Sequence, residues 1–117
     1  MKNLSELSEE LRRFAEERDW GRFHSPKNLA AALAVEAAEL LEHFQWMPEE
    51  ESRVLPEDRL GAISEEVADV QIYLTMFADA LGIDILDAAR TKIARNRERY
   101  PVDRARGSAA KAPQSAG

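Results

Sequence analysis

The sequence predicts an all-α fold. We expect a four-helix bundle that is completed by oligomerisation. Three observations support the fold class and the size of the domain. Apolar residues recur at helical spacings of three and four through most of the chain. Glycine, proline and β-branched clusters are too sparse for the turns and strands of a sheet. A length of 117 residues, with 44% hydrophobic and 32% charged residues, suits one small folded domain. We expect that domain over residues 1–101, followed by a tail over residues 102–117 with the composition of a disordered segment.

The first two helices are marked by capping signals. The first is expected over about residues 4–18, behind Asn3, which opens a capping box. Apolar residues lie three and four apart along it: Leu4, Leu7, Leu11 and Phe14. The second helix is expected to begin at Pro26, because Ser25 is a suitable cap and proline is favoured at the first helical position. It should continue to about Trp46.

The third and fourth helices are bounded by proline, glycine and aspartate. The acidic linker PEEESRVLPEDR leads into the third helix, which is expected from about Pro56 to Gly82, a favoured C-terminal residue. Asp84 can cap the fourth helix, which should end at about Arg99, just before a Tyr-Pro pair.

The charge distribution limits the classes of partner. The net charge is −6, and because residues 101–117 hold three basic residues and one acidic residue, the rest of the chain carries −8. An acidic body disfavours a nucleic-acid polymer as partner and favours cations. The absence of cysteine excludes disulfides and thiolate metal sites. No apolar run is long enough to cross a membrane or to act as a signal peptide, so we expect a cytoplasmic protein.

Pairs of carboxylates lie beside the apolar stripes of the second and third helices. At about 100° per residue, Glu36 and Glu39 fall along one margin of the second helix's stripe. That stripe is formed by Leu29, Leu33, Leu40 and Phe44. The third helix repeats the layout, with Glu66 and Asp69 along the margin and Tyr73 on the same side. Its stripe is formed by Ile63, Val70, Leu74, Phe77 and Leu81.

If the two stripes pack together, four carboxylates meet at one rim of the bundle. Unpaired, they would repel and raise one another's pKa values, so the arrangement calls for a cation. Clustered carboxylate oxygens are typical ligands of Mg²⁺ and also suit Mn²⁺. Zinc would prefer cysteine or histidine, and the chain offers only His24 and His43. The alternative is that these acids reach solvent or pair with lysine and arginine.

The acid pairs and several flanking segments resemble a known family. EAAE at 36–39 and EVAD at 66–69 form an ExxE…ExxD pattern, accompanied by ERDWGRFHSPKNL, EHFQW, DVQIYL and KIARNRERYP. Together these segments resemble the MazG-like all-α nucleotide pyrophosphohydrolases, and among them the small dCTP pyrophosphatase branch. The resemblance covers about residues 4–101.

The resemblance implies a reaction and a set of metal ligands. Such enzymes hydrolyse a nucleoside triphosphate between the α- and β-phosphates, giving a monophosphate and pyrophosphate. Glu39 is the candidate to accept the proton of the attacking water. Metal ions suit this chemistry, because they neutralise phosphate charge and lower the pKa of a water molecule. The acids that match the family's catalytic Mg²⁺ ligands are Glu36, Glu39, Glu66 and Asp69.

Aromatic residues near the loops are expected at the base of the nucleotide. By the resemblance, Trp20, His24 and Trp46 match residues that enclose a pyrimidine, and aromatic rings stack on bases. The alternative for Trp20 is a small core cluster under the loop at 19–26, and Phe23 is expected to be a core residue. Asn28, at the start of the second helix, is expected at the nucleotide.

Other residues are expected at the phosphates. Tyr73 lies one turn after Asp69 and could reach a phosphate with its hydroxyl group. Lys92 and Asn96 lie on one face of the fourth helix, and in the light of the resemblance they are expected to bind phosphate oxygens. The alternative is a solvated basic face near a helix C-terminus, where the helix dipole favours cations.

A single chain of this size makes a thin bundle with a modest core. We therefore expect a homo-oligomer in which a second chain completes the pocket, and the resemblance implies a tetramer built as a dimer of dimers. The main functional hypothesis is an Mg²⁺-dependent dCTP-type pyrophosphatase that removes nucleotides, including modified pyrimidine nucleotides, from the pool. A broader dNTP pyrophosphatase and a non-enzymatic helical oligomerisation module are the alternatives.

Overall fold

The computed structural model describes residues 1–112, and within that range the fold is all-α, as the sequence predicts. The helices are α1 (Leu4–Glu17), α2 (Pro26–Glu42), α3 (Glu57–Ala80), α4 (Ile85–Arg99) and the short α5 (Val102–Ala105). Two turns of 3₁₀ helix, Gly21–Phe23 and Glu51–Arg53, lie in the connections before α2 and α3. In residues 1–112, none of these helices is long and apolar enough to cross a membrane.

The helix starts agree with the capping signals of the sequence. The side chain of Asn3 accepts a hydrogen bond from the Glu6 backbone N–H at 2.9 Å, as in a capping box. Ser25 caps α2 in the same way, and Pro26 occupies the first helical position. Asp84 caps α4 through its side-chain oxygen. These starts are set by contacts within one helical turn, which explains why the sequence alone predicts them.

The end of the second helix was predicted wrongly. It ends at Glu42 rather than near Trp46, and the chain continues in turns, with a backbone hydrogen bond of 2.9 Å from the Met47 N–H to the Phe44 carbonyl. Proline disfavours helical geometry at the residue before it, and its ring clashes with the carbonyl four positions back. Pro48 therefore excludes a regular helix through the preceding turn.

By contacts the chain divides into two units, of which the first contains residues 1–83. In it, α2 packs extensively against α3, and α1 packs against α3 as well. Leu29 is only 2% exposed, and the other buried apolar side chains of this unit are Ala15, Ile63 and Ala78. This core holds α2 and α3 side by side, so that the acidic margins of both helices can meet.

The second unit begins at Asp84 and contains α4 and α5. The Ala112 backbone N–H donates to the Tyr100 hydroxyl oxygen at 2.9 Å, so the chain after α5 returns to the end of α4. Residues 113–117 lie outside the described residues. The division at residue 101 into domain and tail stays a prediction, although α5 gives part of the expected tail regular structure.

Candidate active site

Three of the four predicted acids meet between α2 and α3. Glu36 and Glu39 are one turn apart on α2, and Glu66 approaches them from α3. One carboxylate oxygen from each residue can be chosen so that all three atoms lie within 4.8 Å of one another. Residues three apart project from the same side of a helix, so this proximity follows from the packing of the two margins. We call Glu36, Glu39 and Glu66 the acidic cluster.

The acidic cluster is not neutralised within the described part of the chain. Ion pairs between residues 1–112 join other acids to arginines, and none includes a member of the cluster. One oxygen each of Glu36 and Glu66 is buried and lacks a hydrogen-bond partner among the described residues. Buried polar atoms normally have partners, so these orphaned oxygens indicate a missing partner.

Crowding changes the protonation of the cluster. The pKa of Glu36 is raised to about 7, because its neutral form can share a proton with Glu39 and because burial and the charges of Glu39 and Glu66 disfavour ionisation. The pKa of Glu66 is also raised, mainly by burial and with contributions from the charges of Glu39 and Asp69. The cluster thus holds a proton more strongly than isolated carboxylates do, as acids without a cation among them should.

The donor set fits a divalent cation with a preference for oxygen. Three half-buried carboxylates with two orphaned oxygens supply hard ligands, which suit Mg²⁺ or Mn²⁺. Neither His24 nor His43 belongs to the cluster, so the residues that meet here are poor ligands for zinc.

Asp69 lies beside the cluster rather than within it. It is half-buried on α3, three residues after Glu66, and its charge is near enough to raise the pKa of Glu66. It does not belong to the group whose oxygens lie within 4.8 Å of one another. Its role as the fourth metal ligand stays a prediction.

The aromatic residues predicted at the base lie in different surroundings. Trp20 packs edge-to-face on Phe14, with ring centroids 5.6 Å apart, but the two residues are 44% and 46% exposed, so in the single chain this pair is not a buried core cluster. Trp46 is 88% exposed, and His24 is half-buried. The core assignment of Phe23 was wrong for the single chain, because the residue is 56% exposed. Its ring faces the guanidinium of Arg22, whose central carbon lies 5.0 Å from the ring centroid.

The remaining predicted nucleotide contacts are distributed over both units. The Asn28 side-chain N–H donates to the Phe23 carbonyl at 3.0 Å, which ties the start of α2 to the preceding loop. Tyr73 is half-buried on α3, one turn after Asp69. On α4, Lys92 is exposed and Asn96 is half-buried. Their roles at the phosphates stay predictions.

A cleft of about 180 Å³ in the first unit was missed by the sequence reasoning. It lies where α1, the loop before α2, the start of α2 and the end of α3 come together. Its floor includes Leu29 and Thr75, the latter only 1% exposed, and His24 also lines it. The polar groups that line its sides include Ser8, Arg12 and Asp79. We call this cavity the α1–α3 cleft.

An ion pair joins the two walls of the α1–α3 cleft. Arg12 Nε on α1 donates to Asp79 Oδ2 on α3 at 3.0 Å. The two residues are 67 positions apart in the chain, so no local pattern could have predicted the pair. Thr75 is also partnered, because its hydroxyl oxygen accepts from the Gln71 side-chain amide at 2.8 Å.

Comparison with known proteins connects this geometry to a family. The model of the MazG-like family matches residues 31–113. A solved pyrophosphatase structure from Archaeoglobus fulgidus is similar over 83% of this chain and 91% of its own, with 42% sequence identity and a TM-score of 0.78.

Curated relatives carry the name dCTP pyrophosphatase 1. The protein from Bos taurus is 46% identical over 110 residues, and the human protein is 43% identical over 110 residues. Each alignment covers 88% of this chain and 64% of the relative, so the chain spans slightly less than two thirds of the length of these relatives.

Proposed function

The chain belongs to the MazG-like family, and on this premise we propose that it is a metal-dependent nucleoside triphosphate pyrophosphohydrolase. The observation that carries the proposal is the acidic cluster, three half-buried carboxylates with no cationic partner in residues 1–112. The reaction would release pyrophosphate and a nucleoside monophosphate, because the oxygen of water bonds to a phosphorus atom as the P–O bond between the α- and β-phosphates breaks.

The acidic cluster would hold Mg²⁺, with Mn²⁺ as a possible substitute, and Asp69 would act as a further ligand. When bound, the metal supplies charge neutralisation of the phosphates and a lowered pKa of water. Glu36 and Glu66 contribute the orphaned oxygens that suit coordination. Glu39 accepts the proton of the attacking water, a role open to a carboxylate that is not fully used in coordination.

Other residues would bind and orient the nucleotide. Hydrogen bonds to the phosphate oxygens are donated by Tyr73, Lys92 and Asn96. The positive charge of Lys92 also balances the negative charge of the phosphates. Trp20, His24, Asn28 and Trp46 bind the base and sugar, with the rings stacking on the base. The place of His24 on the α1–α3 cleft supports its own part in this arrangement.

The proposed substrate is dCTP or a related pyrimidine deoxynucleotide, including modified ones, removed as housecleaning of the nucleotide pool in the cytoplasm. Sequence identity of 43–46% to proteins named dCTP pyrophosphatase 1 supports this choice over a broader dNTP pyrophosphatase. A purely structural helical module is disfavoured, because such a module has no use for unpaired carboxylates between its helices.

We propose that the active enzyme is a homotetramer, a dimer of dimers. Large apolar side chains on α2 and α3 and in the linker between them are more than half exposed in the single chain, which a second copy would cover. These side chains include Val35, Leu41, Trp46, Val54 and Val67. Light scattering after size exclusion should give four chains per particle, and a monomer that retains full turnover would contradict a pocket shared between chains.

A product panel tests the reaction. The protein is incubated with each dNTP and NTP in Mg²⁺, and the products are separated by chromatography, with a chelator as one control. Glu66→Gln removes a cluster charge, whereas Glu65→Gln changes the exposed neighbouring residue and serves as the matched control. We expect monophosphate and pyrophosphate, fastest from dCTP, lost with the chelator and Glu66→Gln and retained with Glu65→Gln. No turnover of any nucleotide by folded protein would refute the proposal.

A further inference from the structure

The α1–α3 cleft continues the line of the acidic residues along one face of α3. Tyr73, Met76 and Ala80 follow Asp69 by four, seven and eleven positions, spacings that share a helix face. Met76 and Ala80 line the cleft, and at 1.5 Å per residue Met76 lies about 10 Å beyond Asp69 along the helix. A nucleotide whose phosphates lie at the acids and whose base points towards the C-terminal end of α3 would place that base at the cleft.

The cleft suits one part of a nucleotide rather than the whole molecule. Its volume of about 180 Å³ is below the ~300–1,000 Å³ of pockets that enclose complete small ligands. Leu11, Leu29 and Met76 supply apolar surface, and a few polar groups converge from the two walls. A flat single-ring base matches both the size and the mixture of surfaces.

The Arg12–Asp79 pair presents a defined order of hydrogen-bonding groups. Their mutual bond uses Arg12 Nε and Asp79 Oδ2. Four further N–H groups of a guanidinium and the second carboxylate oxygen are left for other partners. The side chains are 56% and 33% exposed, so a ligand in the cleft can reach them. The pair thus offers a negatively charged acceptor beside a positively charged donor.

Cytosine has the complementary order of groups. Its 4-amino group is a donor, whereas uracil and thymine carry an acceptor oxygen at that position. The neighbouring N3 and O2 atoms of cytosine are acceptors, which suit Arg12. A carboxylate facing the amino group gains a hydrogen bond, and a carboxylate facing the O4 oxygen of uracil is repelled.

We propose that Asp79, held in place by Arg12, selects cytosine over uracil and thymine by accepting a hydrogen bond from the 4-amino group in the α1–α3 cleft. This assignment rests on the proposed function, because it places the base of the same substrate. It gives the Arg12–Asp79 pair a role beyond joining α1 to α3, and it makes both residues determinants of specificity rather than of the hydrolytic step.

The first test compares dCTP with dUTP, which differ at the 4-position and in the protonation of N3. In Asp79→Asn the amide can turn an N–H group towards O4. Hydrogen bonds to charged groups contribute enough for the dCTP/dUTP ratio of kcat/KM to fall by about 10- to 100-fold. The matched control is Glu49→Gln, which loses another 3.0 Å ion pair, with Arg53, away from the cleft. An unchanged ratio in folded, active Asp79→Asn would overturn the proposal.

Exchanging the charges of Arg12 and Asp79 tests whether the pair selects the base or only joins α1 to α3. The double variant Arg12→Asp/Asp79→Arg can keep the ion pair between α1 and α3 but reverses the order of donor and acceptor. We expect a melting temperature close to that of the parent and a dCTP/dUTP ratio at least about tenfold lower. A parental ratio in the exchanged protein would show that the pair serves only to join the helices.

Binding of nucleoside monophosphates distinguishes failure of this inference from failure of the proposed function. The unchanged protein should bind dCMP at least about tenfold more tightly than dUMP in an NMR titration, and Asp79→Asn should remove that difference. If the parent hydrolyses no triphosphate, the proposed function fails, yet the dCMP preference and its loss in Asp79→Asn would still support the cleft assignment. Equal binding of dCMP and dUMP by the parent would refute the assignment even where dCTP is hydrolysed.

Discussion

Two groups of carboxylates on α3 differ in how their charge is balanced. Glu66 meets Glu36 and Glu39 of α2 with no cationic partner among residues 1–112, whereas Asp79 is bonded to Arg12 of α1 at 3.0 Å. Among residues 1–112 the fold therefore balances the charge of Asp79 and leaves the charges of Glu36, Glu39 and Glu66 unbalanced. The unbalanced charge lies at the site proposed for the metal ion, and the balanced charge lies at the site proposed for the base.

The largest expected effect follows from removing one charge of the acidic cluster. In Glu36→Gln the metal loses an anionic ligand, so we expect Mg²⁺ affinity and turnover to fall by more than about 100-fold. The metal-free variant should melt at or above the parental temperature, because the repulsion that raises the pKa of Glu36 is gone. Calorimetric titration with Mg²⁺ and thermal melts in chelator measure both effects.

The matched control for that experiment is Glu42→Gln, which changes an exposed acid at the end of the same helix. It should leave Mg²⁺ affinity and turnover near the parental values. Normal metal affinity in Glu36→Gln would mean that the cluster is not the metal site, and the contrast between the two groups of carboxylates would be lost.

The next largest effect concerns Leu29, which lies on the floor of the α1–α3 cleft and belongs to the helix that carries Glu36 and Glu39. Leu29 is 2% exposed, and Leu29→Ala should lower the free energy of unfolding by about 2–5 kcal/mol through lost burial and a new cavity. Glu42→Ala, which truncates an exposed side chain of the same helix, is the control and should change it by less than about 0.5 kcal/mol. Chemical denaturation measures both, and equal losses would show that α2 does not pack through Leu29.

The pH dependence of stability provides an effect of intermediate size. The folded state holds the proton of Glu36 up to a pKa of about 7, against 4.5 for an ordinary glutamate. The folded protein thus binds more protons than the unfolded one, so in chelator the free energy of unfolding should decrease as pH rises from about 4.5 to 7. Mg²⁺ should oppose that decrease, because it binds the ionised carboxylates of the folded state.

The Glu36→Gln variant tests whether Glu36 causes this dependence. Its melting temperature in chelator should vary less with pH over the same interval than that of the parent. A parent whose stability rises with pH across the interval, or a variant with the parental slope, would contradict the assignment of the proton to the acidic cluster.

The smallest expected effect is at the paired carboxylate. Arg12→Gln removes an ion pair in which both side chains are partly exposed, and such pairs contribute about 0.2–1 kcal/mol. We expect a loss of stability within this range and no change in Mg²⁺ affinity. A large loss, or a loss that Mg²⁺ reverses, would mean that the two regions are not independent.

Local signals explain how much of the fold could be predicted from the sequence. The starts of α1 and α2 were predicted because Asn3 and Ser25 bond to groups within the next turn. The proximity of Glu36 and Glu66 was predicted because each residue lies at the same position beside the apolar stripe of its helix. When the two stripes pack together, these positions come close. The predicted end of α2 was wrong, because the apolar periodicity continues beyond the last helical residue. Pro48 prevents the backbone of the residues before it from forming a regular helix.

The α1–α3 cleft could not be predicted from the same information. Arg12 and Asp79 each belong to the polar face of a separate helix, and their contact depends on how α1 lies against α3. Helical spacing gives the face on which a side chain lies but not which residue of another helix it meets. Asp69 illustrates the limit on a finer scale, because its wheel position predicted that it would meet the other three acids, whereas its oxygens lie outside the group within 4.8 Å.

The hydrogen bond from the Asn28 amide to the Phe23 carbonyl has a thermodynamic consequence. One N–H of that amide is occupied, so the side chain is already fixed before any ligand arrives, with its second N–H and its oxygen still available. The entropy lost in ordering this side chain is lost when the protein folds and not when the nucleotide binds. Asn28 should therefore contribute to affinity through a smaller entropic penalty, which calorimetry of nucleotide binding at several temperatures can resolve.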